Sequence, residues 1–294
     1  MTLTAAAEMP WRVAARTTLD PSGAAFTQGE VLYGAEATGA KLSGDGTLSF
    51  RPGKLRVKLA ASQLDLDRAL NDNKAEHGKT PVEFLTDAIA SLPTLPWPSQ
   101  ISVMADRVTL AGQSLSAVAV DLDGTKEQWA LTKLAFSGPG DARFALSGRM
   151  QAGKEGQQFS GPFDIKTRDA QGFAARAFGK VDTAHGARTP LHLAAMMALG
   201  KERLVLDGVK LDLGGNRIEG RIARTGTRID VTLKAPQVDV DSLAGVMQRL
   251  TAWQDKGGYE THVDLDFRRL KFSATRSRRC RRACRPSRAS RKSR

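Results

Sequence analysis

The sequence predicts a mainly β protein, built as antiparallel meanders with only a few short helices. Three observations predict it. Apolar residues alternate with polar ones at period two through most of the chain. The links between alternating runs are short and rich in Gly, Pro, Asn and Asp. Helical periodicity is confined to a few brief stretches.

The strands come first. In KLRVKLA (54–60), Leu55, Val57 and Leu59 point to one side and Lys54, Arg56 and Lys58 to the other, the mark of a half-buried strand. The same alternation returns in ISVMADRVTL (101–110), SAVAVDLDG (116–124), ARFALSGRM (142–150), RLVLDGVKLDL (203–213), RIDVTLKA (228–235) and THVDLDF (261–267). Asp45-Gly46, Pro52-Gly53, Gly138-Pro139-Gly140, Gly214-Gly215-Asn216 and Thr225-Gly226 supply the positive or preset φ of tight hairpins between them. Short links between such strands predict antiparallel pairing.

The helices follow. TPVEFLTDAIASL (80–92) has Thr80 as N-cap, Pro81 in the first turn and Glu83 closing a capping box. A second runs through DSLAGVMQRLTAWQ (241–254) with Asp241 as cap, and a weaker third through DAQGFAARAFG (169–179) with Asp169 as cap. PTLPWP (93–98) is too rich in Pro for either element.

One segment is written twice. ASQLDLDRAL (61–70) and APQVDVDSLA (235–244) both end a strand on an apolar alternation and then place an Asp, Asp67 or Asp241, at a helix start. FDIKTRDAQGF (163–173) has a similar shape. The chain therefore divides into a first β unit at 1–92, a Pro-rich linker at 93–100, a second β unit at 101–179, a third at 180–275 and a basic tail at 276–294.

Composition excludes several function classes. The last 19 residues hold ten Lys or Arg and no acid; of 44 basic residues this leaves 34, against 31 acidic, so the body carries a net charge of only +3. The basicity belongs to the tail. It can bind a polyanion or anionic headgroups, act as a disordered solubilising extension, or be the product of a frameshift, which the abrupt loss of alternation after THVDLDFRRLKFSA favours. Both cysteines, Cys280 and Cys284, lie in it, so the body has no disulfide framework or thiolate metal site. Trp11, Trp97, Trp129 and Trp253 are scattered, which argues against a stacking platform for nucleic acid. No run approaches the ~20 apolar residues that span a bilayer, and the first residues lack the apolar run of a signal peptide.

Catalytic chemistry finds no foothold. His77, His185, His192 and His262 have no partner spacing, and there is no serine elbow, P-loop, dinucleotide fingerprint or zinc spacing. The pairs Asp65/Asp67, Asp121/Asp123, Asp239/Asp241 and Asp264/Asp266 each fall on one strand face, but lack the Gly and bidentate Glu of calcium loops and read as solvated faces and helix caps. The reading is non-enzymatic, with no cofactor and no metal.

The LDLD-plus-helix unit (64–70, again 238–243) and the hairpins of 101–150 resemble the AsmA family of bacterial envelope proteins. That run passes a Trp-containing strand, a Gly-Pro-Gly turn and a Leu-Ser-Gly strand. LVLDGVKLDLGGNRIEGRI (204–222), closing on APQVDVDSL, resembles the family's next unit, so the likeness covers about residues 40 to 272. It implies a relative of bridge-like lipid-transfer proteins: a membrane anchor followed by a twisted sheet that shields acyl chains crossing the periplasm. The family's N-terminal membrane helix is not found in this sequence, so the chain is read as a fragment of a longer, inner-membrane-anchored protein.

Residues and resemblance meet on one question. About a dozen amphipathic strands and two or three helices leave much apolar sheet uncovered. Either the sheet closes on itself as a sandwich or barrel, a scaffold or adhesin-like module with binding in its loops, or something else covers it. The resemblance favours an elongated, twisted antiparallel meander forming an open groove or partial barrel. Its partner would be phospholipid or another acyl-chain lipid, with outer-membrane assembly components also in reach. The lining would be Leu55, Val57, Leu59, Val118, Val120, Leu122, Phe144, Leu146, Leu204, Leu206, Ile229, Val231 and Leu233.

Overall fold

The computed structural model describes residues 11–33, 39–71, 96–110, 112–126, 128–153, 156–173, 189–200, 202–239 and 260–271. The alternating runs become long strands: β1 (Trp11–Asp20), β2 (Gly23–Tyr33), β3 (Ala40–Phe50) and β4 (Gly53–Asp65), then a short helix α1 (Leu66–Asn71). Next come β5 (Ser99–Leu110), β6 (Gln113–Gly124), β7 (Trp129–Gly138), β8 (Ala142–Gly153), β9 (Gly156–Thr167), β10 (Leu191–Leu199), β11 (Arg203–Leu213), β12 (Asn216–Thr225) and β13 (Arg228–Ala235). β14 (Val238–Asp239), β15 (Glu260–Phe267) and β16 (Leu270–Lys271) complete the described residues.

Fourteen strands form one sheet in the order β1 to β13 followed by β15. The mainly β architecture expected from the alternation is therefore present, and the sheet is not closed: β1 and β15 are its two edges. It runs without a break through the boundaries expected at 92, 100 and 179, since β4 pairs with β5 and β9 with β10. The linker expected at 93–100 is shorter, because Ser99 and Gln100 already belong to β5.

Within the fourteen-stranded sheet the pairing is antiparallel with two exceptions. β4 lies parallel to β5, from Leu55↔Ser99 to Asp65↔Thr109, and β13 lies parallel to β15, from Arg228↔Glu260 to Ala235↔Phe267. Both exceptions fall at the repeated segment. A parallel joint needs a crossover back along the strand, and each copy marks where one departs. The copies also share a bend. In the first, Ala61↔Ala105 is followed by Gln63↔Arg107 and Leu64↔Val108, and buried Ala105 and Val108 belong to one cluster although they stand an odd three positions apart. In the second, Ala235↔Phe267 is followed, across Pro236, by Val238↔Leu270 in the same relative register, now as the separate β14–β16 pair. Pro236 has no N–H to give the ladder, which interrupts it there.

One expected hairpin is a strand. β3 runs straight through Asp45-Gly46. Glycine is needed here for close approach: a Cβ at Gly44 would strike the carbonyl of Lys58, and one at Gly46 that of Arg56. The other glycine turns form as expected, with Gly140 at φ 71°, Gly214 at 59°, Gly215 at 87° and Gly226 at 57°.

The caps need one correction. In the first copy, Asp65 is the N-cap: its Oδ1 accepts the Arg68 N–H at 2.9 Å. Asp67, expected in that role, lies inside the first turn, and its Oδ2 accepts the Gly112 N–H at 2.7 Å from the β5–β6 turn. The helix starts two residues earlier than expected, so the first Asp caps and the second ties the crossover to the next hairpin. Asp169 does cap: its Oδ1 accepts the Gly172 N–H at 2.8 Å, and residues 170–173 are helical. The helices expected at 80–92 and 241–254, with Thr80 and Asp241, and the tail at 276–294 lie outside the described residues.

Candidate functional site: an apolar sheet face

Partners directly opposite in a ladder share a face, so the register can be followed from strand to strand. Leu55, Val57 and Leu59 of β4 stand beside Ser99, Ile101 and Val103 of β5. Ile101, Val103 and Ala105 stand beside Leu122, Val120 and Val118 of β6. Val120 meets Leu134 of β7, which meets Leu146 of β8, and Phe136 meets Phe144. Phe144 and Leu146 face Ile165 and Phe163 of β9, whose row continues through Leu193 and Ala195 of β10. Leu204 and Leu206 pair with Leu199 and Met197 of β10, and on the other side with Arg224 and Ile222 of β12. Ile229, Val231 and Leu233 of β13 complete the row against Arg224, Ile222 and Gly220. The thirteen candidates thus lie on one side of the sheet.

That side is the buried one, and its centre is the most buried. Trp129, Leu131, Leu146, Met150, Phe159, Met197 and Leu199 form the largest cluster, with Val120, Leu122, Leu204 and Leu206 packed against it. A second cluster carries Leu59 and Val118, and a third carries Leu233. Leu55, Val57, Phe144, Ile229 and Val231 are half-buried. Phe144 stacks on Phe136 with ring centroids 4.6 Å apart. Among the described residues no second sheet layer covers this side.

A Cβ at Gly161 would collide with the Ser147 carbonyl, and one at Gly220 with that of Thr232. Both glycines stand in the apolar row, opposite Met197 and Leu233. At both positions the neighbouring backbone comes too close for any side chain larger than a hydrogen.

The opposite face is polar. His192 Nε2 lies 2.6 Å from Asp164 Oδ2, and Lys166 Nζ 3.2 Å from Asp164 Oδ1. Partial burial works against the Asp164 carboxylate, but the hydrogen bonds from His192 and Lys166 outweigh it and hold the carboxyl below its ordinary value. Arg228 likewise holds the partly exposed Asp230 low. A shallow hollow of about 510 Å³ crosses this face over Ala135, Ala145 and Ala194, between Lys133 and Lys210. Among the described residues no three His, Cys, Asp or Glu side chains gather as a metal would require. Asp121, from one of the aspartate pairs, takes the Ser102 hydroxyl at 2.6 Å.

Two kinds of residue escaped the sequence reading. Trp129, 6% exposed, and Phe159, 1% exposed, are central to the apolar face. Arg224 stands on the same face, between Leu204 and Ile229. Its signal was legible, since NRIEGRIART places Ile218, Gly220, Ile222 and Arg224 at one period-two parity.

The chain matches no family model, no curated protein and no solved structure. Among the described residues no helix is long and apolar enough to cross a membrane.

Proposed function

We propose that this protein is a non-enzymatic, AsmA-like component of the bacterial cell envelope. In this reading it works in the periplasm as part of an inner-membrane-anchored protein. Its curled sheet handles phospholipid or another acyl-chain lipid during transport between membranes or outer-membrane assembly. The observation that carries the reading is the continuous apolar row from β4 to β13 with no second described layer over it. Removing an acyl chain from water is worth roughly 0.8 kcal/mol per CH₂, so such a face can hold lipid without an elaborate polar site. A self-closed barrel or a two-sheet sandwich is disfavoured by the single open sheet.

The test is mass spectrometry of lipid carried by the full chain after expression in a bacterium and washing at high salt. Phospholipid near one or more per chain is expected. A cooperatively folded protein free of lipid, and unable to take it up from vesicles, would remove the reading.

A further inference from the structure

Among the described residues, Arg224 is the one charged side chain that the register places on the apolar face. It pairs with Leu204 of β11 on one side and Ile229 of β13 on the other. Its alternation partners on β12, Ile222 and Ile218, are apolar, and Ile218 is 1% exposed. The residue is half-buried, and its Nε is shielded from solvent with no hydrogen-bond acceptor in reach.

A guanidinium does not escape such a position by losing its proton. A cation nitrogen held out of water without an acceptor is costly, and an acidic side chain on a neighbouring strand would have relieved it. The neighbours in the row are Leu204 and Ile229 instead. Arg224 also sits next to the Thr225-Gly226 turn that joins β12 to β13, at the end of the strands. An anion arriving there has access from the rim. Anything attached to it can run inward along the strands, over Leu206, Ile222 and Val231.

We propose that Arg224 is an anchor for the anionic headgroup, phosphate or carboxylate, of an acyl-chain amphiphile. The guanidinium binds the headgroup oxygens at the rim while the chains lie on the apolar row. The inference deepens the lipid-handling reading and rests on it. Elsewhere on the described face the lining offers no charge, so the headgroup contact is fixed at one station, and selectivity for anionic lipid resides there.

The test uses the full chain, stripped of lipid and equilibrated with vesicles containing equal amounts of phosphatidylglycerol and diacylglycerol, with bound lipid read by mass spectrometry. The wild type is expected to favour phosphatidylglycerol roughly tenfold or more, as a charge-assisted hydrogen bond allows. Arg224→Met should bring the ratio to about parity while total bound acyl lipid is kept, and Arg224→Lys should retain part of the preference. Inorganic phosphate added in excess separates the two sources of the chemistry. If it binds but leaves the lipid ratio unchanged, the site is a free-anion site and the anchor is overturned. A wild type that binds both lipids equally, or an Arg224→Met protein that keeps the preference, also overturns the anchor and leaves the groove standing. A wild type that takes up neither lipid overturns the groove itself, and the anchor with it.

Discussion

Met196 and Met197 are neighbours of the same type on one strand, yet the first is 54% exposed and the second 9%. They sample the two faces of the sheet. The face of Met197 is apolar from β4 to β13, and its members pack into the buried clusters. The face of Met196 mixes charged residues with alanines, and apart from Val205 it holds few buried side chains. The comparison teaches that one sheet carries a packed apolar side and a side left largely to solvent. Burial also varies along the apolar face: Phe159 at the centre is 1% exposed, whereas Val13 and Leu19 on edge strand β1 are 55% and 71% exposed.

The largest effect that would sharpen this contrast is at the centre. Phe159→Ala is expected to cost about 3–5 kcal/mol in urea unfolding, as truncation of a buried aromatic does. Met196→Ala and Leu19→Ala should each fall within about 0.5 kcal/mol of wild type. Equal losses at all three sites would mean that the faces do not differ as described.

Next is the close approach of neighbouring strands. Gly161→Ala places a methyl group against the Ser147 carbonyl and should destabilise by about 1–3 kcal/mol. A neutral result would show that the close approach at Gly161 is not needed.

Smaller effects separate the two aspartates of the repeated segment. Asp65→Ala should cost about 1 kcal/mol through loss of the cap, and Asp65→Asn much less, because Asn also caps well. Were Asp65→Ala silent, the cap would have to be reassigned.

The smallest effect belongs to the polar face. Asp164 titrates below its ordinary value of 3.8 in the folded chain. The folded state therefore binds this proton less readily than the unfolded state. Its contribution is present above the unfolded value and is lost as pH falls through the folded one. The pair with His192 is partly exposed and screened, so the change is slight. Asp164→Asn should lower the urea midpoint near neutrality and leave it unchanged in strong acid. An equal shift at both pH values would point to packing instead.

Much of the fold was legible because a half-buried strand writes its faces into alternate residues, and Leu55-Val57-Leu59 or Ile229-Val231-Leu233 reads the same way in any sheet. That is also why the parallel joints were not legible: alternation is identical whether the neighbour runs up or down. The Asp45-Gly46 pair carries the composition of a turn, but its glycine serves close approach between strands, which only the paired backbone reveals. The apolar alternation runs on through Leu66 and so points to Asp67 as the cap, but the ladder ends at Asp65. Alternation assigns a face to the lining residues but not where that face is deepest, since depth depends on which side chains from distant strands pack together. Trp129 and Phe159, at the centre of the largest cluster, are hidden from the sequence for this reason.

The account turns on whether the apolar face holds acyl lipid, and one pair of substitutions tests that most directly. Val57 and Lys58 are adjacent on β4 and point to opposite sides, half-buried and exposed respectively. The lipid bound by Val57→Asp and Lys58→Asp full chains should be counted by mass spectrometry, with β-sheet circular dichroism as the control for folding. The account predicts that Val57→Asp loses most of the lipid with its sheet intact, while Lys58→Asp retains it. Equal retention in both, or loss only together with the sheet, would contradict the claim that this face carries lipid.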